Sequence, residues 1–118
     1  MLLLNLREGD EPKVDAEALV AGAKDYRATA FCLSGGGIVA FYQTKIAGHR
    51  ISNGLGQRDL LAEVIPVAHR EGMRVLARLD PSCAPKELAV QHPEWFTRDI
   101  NGNFSRSTRL YSLVPFAC

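Results

Sequence analysis

Arg78 and Asp80 stand two residues apart at the end of an apolar run made of Met73, Val75, Leu76, Ala77 and Leu79, with Gly72 before it and Pro81 after it. Such a run predicts a short parallel strand covered on both faces. Side chains two apart on a strand point to the same side. A guanidinium and a carboxylate therefore stand together at a C-terminal strand end, the end at which α/β folds bind ligands. The competing reading is an ordinary ion pair that closes the strand and contributes little if exposed.

Other residues could join that pair. Gly35-Gly36-Gly37 could let backbone N–H groups approach a phosphate, but no G-x-G-x-x-G or lysine-bearing P-loop pattern is completed. The apolar run at 38–42 is not the polar start of a helix, so the glycines read as a flexible turn that permits positive φ. Residues 42–57 form a long loop with Tyr42, Gln43, Lys45, His49, Arg50 and Asn53, punctuated by Gly48, Gly54 and Gly56. Loops of this length inside a compact domain often carry function. Tyr42 and His49 are candidates for a binding-site wall, against the alternative of a solvated excursion. Trp95 offers a broad face for stacking on a sugar ring or for plain core packing.

The positioning elements follow from pattern. Residues 2–6 predict a first strand and 7–13 a polar loop. Asp15 is placed to cap a helix whose face is Ala16, Leu19, Val20 and Ala23. Residues 29–33 predict a second strand. Asp59 caps a second helix with the stripe Leu60, Leu61, Val64, Ile65 and Ala68, stopped at Gly72, while Pro66 inside it predicts a kink. The strand at 73–79 follows, and alternation on this scale predicts βαβ units in a parallel sheet. Beyond Pro81, Pro85 starts a short helix toward Gln91, and Asn101-Gly102 between apolar residues marks a hairpin. An apolar run at 110–118 follows it.

Composition narrows the classes. The chain has 118 residues, 47% hydrophobic content and a formal net charge of +1. That predicts one soluble domain over 1–118, with no global field for nucleic acid or an anionic membrane. The opening Met1-Leu2-Leu3-Leu4 has no basic segment before it and is ended by Asn5, Arg7, Glu8 and Asp10, so a buried strand is expected there rather than a signal core. Cys32, Cys83 and Cys118 are odd in number and lack metal-ligand spacing, which predicts neither a disulfide framework nor a metal site. A reducing, cytoplasmic location is the corresponding expectation.

Taken together, Gly36 to Lys45, Arg58-Asp59-Leu60-Leu61, Gly72 to Arg78, and His92-Pro93-Glu94-Trp95-Phe96-x-Arg98-Asp99-x-Asn101-Gly102 resemble the N-terminal part of the hypothetical glycosyl hydrolase 6 family, among the TIM-barrel glycosidases. The resemblance implies a (β/α)8 barrel that hydrolyses glycosidic bonds without a cofactor. The 118 residues would supply about the first three βα units, with a hairpin excursion after the third strand; a whole barrel takes about 250 residues. Pro66 departs from the pattern, and the fourth strand would begin where the chain stops.

Glycosidases use two carboxylates, and in similar barrels these commonly sit beyond the third strand. The resemblance therefore leaves the catalytic residues unassigned. Arg78 would lower the pKa of Asp80, which suits Asp80 to accept a hydrogen bond from a sugar hydroxyl rather than to act as a general acid. Arg78, Asp80, Tyr42, His49 and Trp95 are thus expected to bind carbohydrate. The chain by itself is expected to be inactive, and to be an oligomer or to await the missing half of its barrel. Two other readings stay open: a non-catalytic carbohydrate-binding or interaction module from a split barrel, and a small-molecule or nucleotide-binding α/β domain using Gly35 to Gly37.

Overall fold

Two aspartates start the two long helices, as their place before apolar-periodic runs predicts. The Asp15 carboxylate accepts from the Ala18 N–H at 2.8 Å to open α1 (Ala16–Asp25), and Asp59 accepts from the Ala62 N–H at 2.9 Å to open α2 (Leu60–Arg70). Each cap satisfies a donor that the first helical turn leaves unpaired. Asp59→Ala is expected to cost about 1 kcal/mol, read as a lower urea midpoint at unchanged slope.

These elements belong to a computed structural model that describes residues 1–105 and 113–115. Two units are present, Met1–Leu79 and Asp80–Cys118. In the first, β1 (Leu2–Leu4), β2 (Ala30–Gly37) and β3 (Arg74–Asp80) form a parallel sheet in the order β1-β2-β3, with β3 running one residue past the division. Leu2 pairs with Phe31, Leu3 with Cys32 and Leu4 with Leu33. Alternation sends Leu2, Leu4, Phe31, Leu33 and Val75 into one core with Val20, Ala23, Val64, Val67, Ala68 and Met73.

The opposite sheet face is open. Leu3 is 55% and Leu76 49% exposed, so the expected burial of β3 on both faces does not hold. The cause is topological. Right-handed crossovers that add each strand on the same side of the last place their helices on one face, and only a reversal of strand order would put helices on both. A sheet of this kind is consistent with a partial barrel.

Local readings also change. β1 ends at Leu4 rather than at residue 6. The three glycines are not a turn: β2 runs through them, and only Gly37, at φ 121°, has positive φ. The span of α2 includes Pro66, as expected. Pro66 and Ala62 both lie on the exposed face of α2, so the Ala62 carbonyl that loses its helical donor can be met by water.

In the second unit, β4 (Cys83–Pro85) pairs antiparallel with β5 (Leu113–Pro115), and α3 (Lys86–Gln91) follows β4. Ala84, Ala89 and Phe96 form its core, with Leu88 and Phe104 against them. The expected reversal at Asn101-Gly102 is present. Gly102 has φ 79°, the Asp99 N–H donates to the Asn103 carbonyl at 2.8 Å, and Arg98 and Phe104 form an antiparallel bridge. The Asp99 carboxylate also accepts from the N–H groups of Asn101 and Asn103, each at 2.9 Å. Of the apolar run at 110–118, residues 113–115 form β5 and the others lie outside the described residues.

Candidate functional site

The C-terminal ends of the three parallel strands are tied together by polar side chains. Ser34, buried in β2, donates its hydroxyl to the Leu4 carbonyl at 3.3 Å and accepts from the Leu6 N–H at 3.2 Å. Arg78 Nη1 donates to Asn5 Oδ1 at 3.1 Å, linking β3 to the residue that follows β1. Arg78 is half-buried, as is Asp80 two residues on, whose carboxylate accepts from the Ser82 N–H at 3.2 Å.

Tyr42 and His49 come together above the end of β2. Their rings are 6.3 Å apart, edge to face. A Cβ built on Gly36 would lie 3.4 Å from His49 Cε1, 3.4 Å from Leu79 Cδ2 and 3.5 Å from Tyr42 Cε1. Bare strand backbone therefore forms the floor beneath the two rings. Among the described residues, His49 Nε2 is buried and has no hydrogen-bond partner.

Trp95 belongs to the second unit, where it is 47% exposed and stacks on His92 with centroids 3.9 Å apart and planes 6° from parallel. His92 Nδ1 lies 3.4 Å from Glu94 Oε1. Of the expected site residues, the first unit thus gathers Tyr42 and His49 around Gly36 and ties Arg78 to Asn5.

The loop that carries Tyr42 and His49 is a built structure rather than a solvated excursion. The Ala40 N–H donates to the Arg50 carbonyl at 2.8 Å, and the Ser52 N–H returns to the Ala40 carbonyl at 2.9 Å. Gln43 Nε2 donates to the carbonyls of Gly56 and Arg58 at 3.0 and 2.8 Å. Beneath it, Val39, Phe41, Leu55 and Leu60 make a second buried cluster.

The loop after β1 clamps this one. Glu11 is fully buried; its carboxylate accepts from the Ser52 hydroxyl and from the Gly9 N–H at 2.7 Å. Arg58 donates to the carbonyls of Glu11 and Val14 at 2.7 and 2.8 Å, and pairs with Glu63. Glu8 takes both terminal nitrogens of Arg50, at 2.5 and 3.0 Å, and accepts from the Asn53 N–H at 3.2 Å. Sequence reasoning missed Glu8 and Glu11, because nothing in a polar loop says which carboxylate another loop will bury.

The hydrogen bond from Arg50 holds the Glu8 carboxyl below the usual carboxylate range. A carboxylate with a depressed native pKa stabilises the fold above its unfolded pKa. That stability is lost as the pH falls from the usual carboxylate range through the lower native value. Both partners are more than a third exposed, so the contribution is small and screened by salt.

Among the described residues no cluster of His, Cys, Asp or Glu could hold a metal ion, and no helix is long and apolar enough to cross a membrane. Cys32 and Cys83 are free thiols. An open depression of ≈ 320 Å³ beside β1 is lined by Asn5, Asp10, Lys13 and Asp15 among others, and does not include Tyr42 or His49. Of its polar walls, Asn5 accepts from Arg78, Asp10 from the Arg7 N–H and Asp15 from the Ala18 N–H that opens α1, and the strand-end residues are taken as the candidate site.

Comparison with known proteins agrees with this frame. The chain is similar in structure to alpha-L-fucosidase isoenzyme 2 from Paenibacillus thiaminolyticus, with TM-score 0.73 and 18% identity over 98% of this chain and 18% of that one. At that identity the likeness shows the fold, and the chain spans less than a fifth of that protein's length. No curated protein sequence matches. A family model described as hypothetical glycosyl hydrolase 6 matches residues 15–116, most of both units, and the chain belongs to that family.

Proposed function

We infer that this chain is part of a glycoside hydrolase acting on a carbohydrate, and that it contributes about the first three βα units of a (β/α)8 barrel. Membership of a glycosyl hydrolase family over residues 15–116 carries the reading. Support comes from helices confined to one sheet face, and from the fold likeness to a protein named as an α-L-fucosidase. An α-L-fucoside is for that reason the first substrate to test. The open face bearing Leu3 and Leu76 would become part of the barrel interior once the remaining strands close the sheet.

In this reading Arg78 and Asp80 bind sugar hydroxyls, Tyr42 and His49 supply a wall in the first unit, and Trp95 is a separate stacking face in the second. A carboxylate that accepts from a hydroxyl makes a charge-assisted hydrogen bond, stronger than a neutral one. Asp80→Asn keeps the shape and removes the charge. In the full-length protein it is expected to lower kcat/KM for an aryl glycoside about 10- to 100-fold, with the folded state unchanged by circular dichroism. An unaltered kcat/KM would return Asp80 to a strand-closing role. A full-length protein that cleaves no member of an aryl glycoside panel would remove the hydrolase reading.

A further inference from the structure

We propose that His49 Nε2 is the hydrogen-bonding contact for one hydroxyl of a bound sugar, held in place for the ligand at the expense of the free protein's stability. The proposal rests on the carbohydrate-binding reading above and assigns that site its specific polar contact. Its basis is an anomaly. Among the described residues, Nε2 is a buried ring nitrogen with no hydrogen-bond partner, and nearly all buried polar atoms in folded proteins have one. An orphaned polar group of this kind weakens a fold unless something else retains it.

The surrounding structure holds the ring where it is. The His49 N–H closes a turn on the Ile46 carbonyl at 3.2 Å, after Gly48 at φ 76°, and the next residue, Arg50, is pinned both to Ala40 and to Glu8. The imidazole thus sits on a braced backbone rather than a loose loop. Around it are Tyr42 edge-on, Leu79 and the bare backbone of Gly36. Aromatic and aliphatic walls with one convergent polar atom are what a small-molecule site provides. A neutral imidazole nitrogen donates or accepts according to tautomer, and a hydroxyl does both, so the pair matches in either state. Because Nε2 is shut off from solvent, the ligand must turn a lining side chain aside as it enters. Tyr42, half-buried and adjacent, is the side chain placed to yield.

The test combines stability with binding in the full-length protein. His49→Leu and His49→Phe remove the orphaned nitrogen and keep apolar bulk. Each is expected to raise Tm by about 3–8 °C while weakening the binding of L-fucose, D-galactose or D-glucose, whichever the parent binds, by about 10-fold. His49→Gln, which keeps a donor and an acceptor at similar reach, should recover part of that affinity. Both apolar variants losing several degrees would show a structurally satisfied histidine and overturn the proposal, whatever their sugar affinity. Sugar affinity unchanged in the apolar variants would overturn it too, yet leave the carbohydrate-binding reading standing. Failure of the parent to bind any of the three sugars would fell the proposal together with that reading.

Discussion

Gly54→Ala is expected to destabilise the chain by about 2–3 kcal/mol, although Gly54 has an ordinary negative φ. The reason is space rather than conformation. A Cβ at that position would stand 2.7 Å from Glu11 Oε2 and 3.3 Å from Glu11 Cδ, and a carboxylate held by the Ser52 hydroxyl and the Gly9 N–H cannot withdraw without leaving a buried group unpaired. The same contact predicts coupling. In the Glu11→Ala background, itself destabilised by loss of the acceptor for those two donors, an alanine at 54 should cost less than half as much. Urea denaturation of the double-mutant cycle measures this. Strict additivity would show that the two loops do not meet as described.

The 118-residue chain alone is expected to hydrolyse no aryl glycoside above the uncatalysed rate, whereas a longer gene product that carries it should do so. Cleavage needs a general acid and a second carboxylate, about 5–5.5 Å apart in retaining enzymes and 6.5–9.5 Å apart in inverting ones. Loss of that pair removes most of an acceleration that is typically at least a millionfold. Within the first unit, Glu8 is engaged with Arg50 and Glu11 with Ser52. Turnover by the chain alone at an enzymatic rate would show that the catalytic pair lies within these residues. Sedimentation on the same sample tests the exposed sheet face. Leu3 and Leu76 should drive self-association that a charged residue at position 76 reduces.

Elements with local causes were legible in the order of residues along the chain. Asp15 and Asp59 cap helices because a short carboxylate reaches an N–H three residues on, and that spacing is visible in one dimension. The parallel sheet followed from alternating strands and helices, and the Asn101-Gly102 reversal from a residue pair that tolerates positive φ. The family, too, was legible, because its motifs lie in contiguous segments.

The tertiary structure decided what depends on meeting across the chain. The apolar run of β3 reads the same whether one face is covered or two; strand order and crossover hand left Leu76 exposed. Gly35 and Gly36 have turn-forming composition, yet pairing with neighbouring strands drew them into β2, where the missing side chain at 36 makes room for Tyr42 and His49. Glu11 is one acid among several in a polar loop, and its burial depends on Ser52, 41 residues away. Strands as short as β4 and β5 carry too few residues to display a period, so only their pairing reveals them. Local propensity is written in neighbouring residues, while burial, register and the company a side chain keeps are properties of surfaces that exist only once the chain has folded.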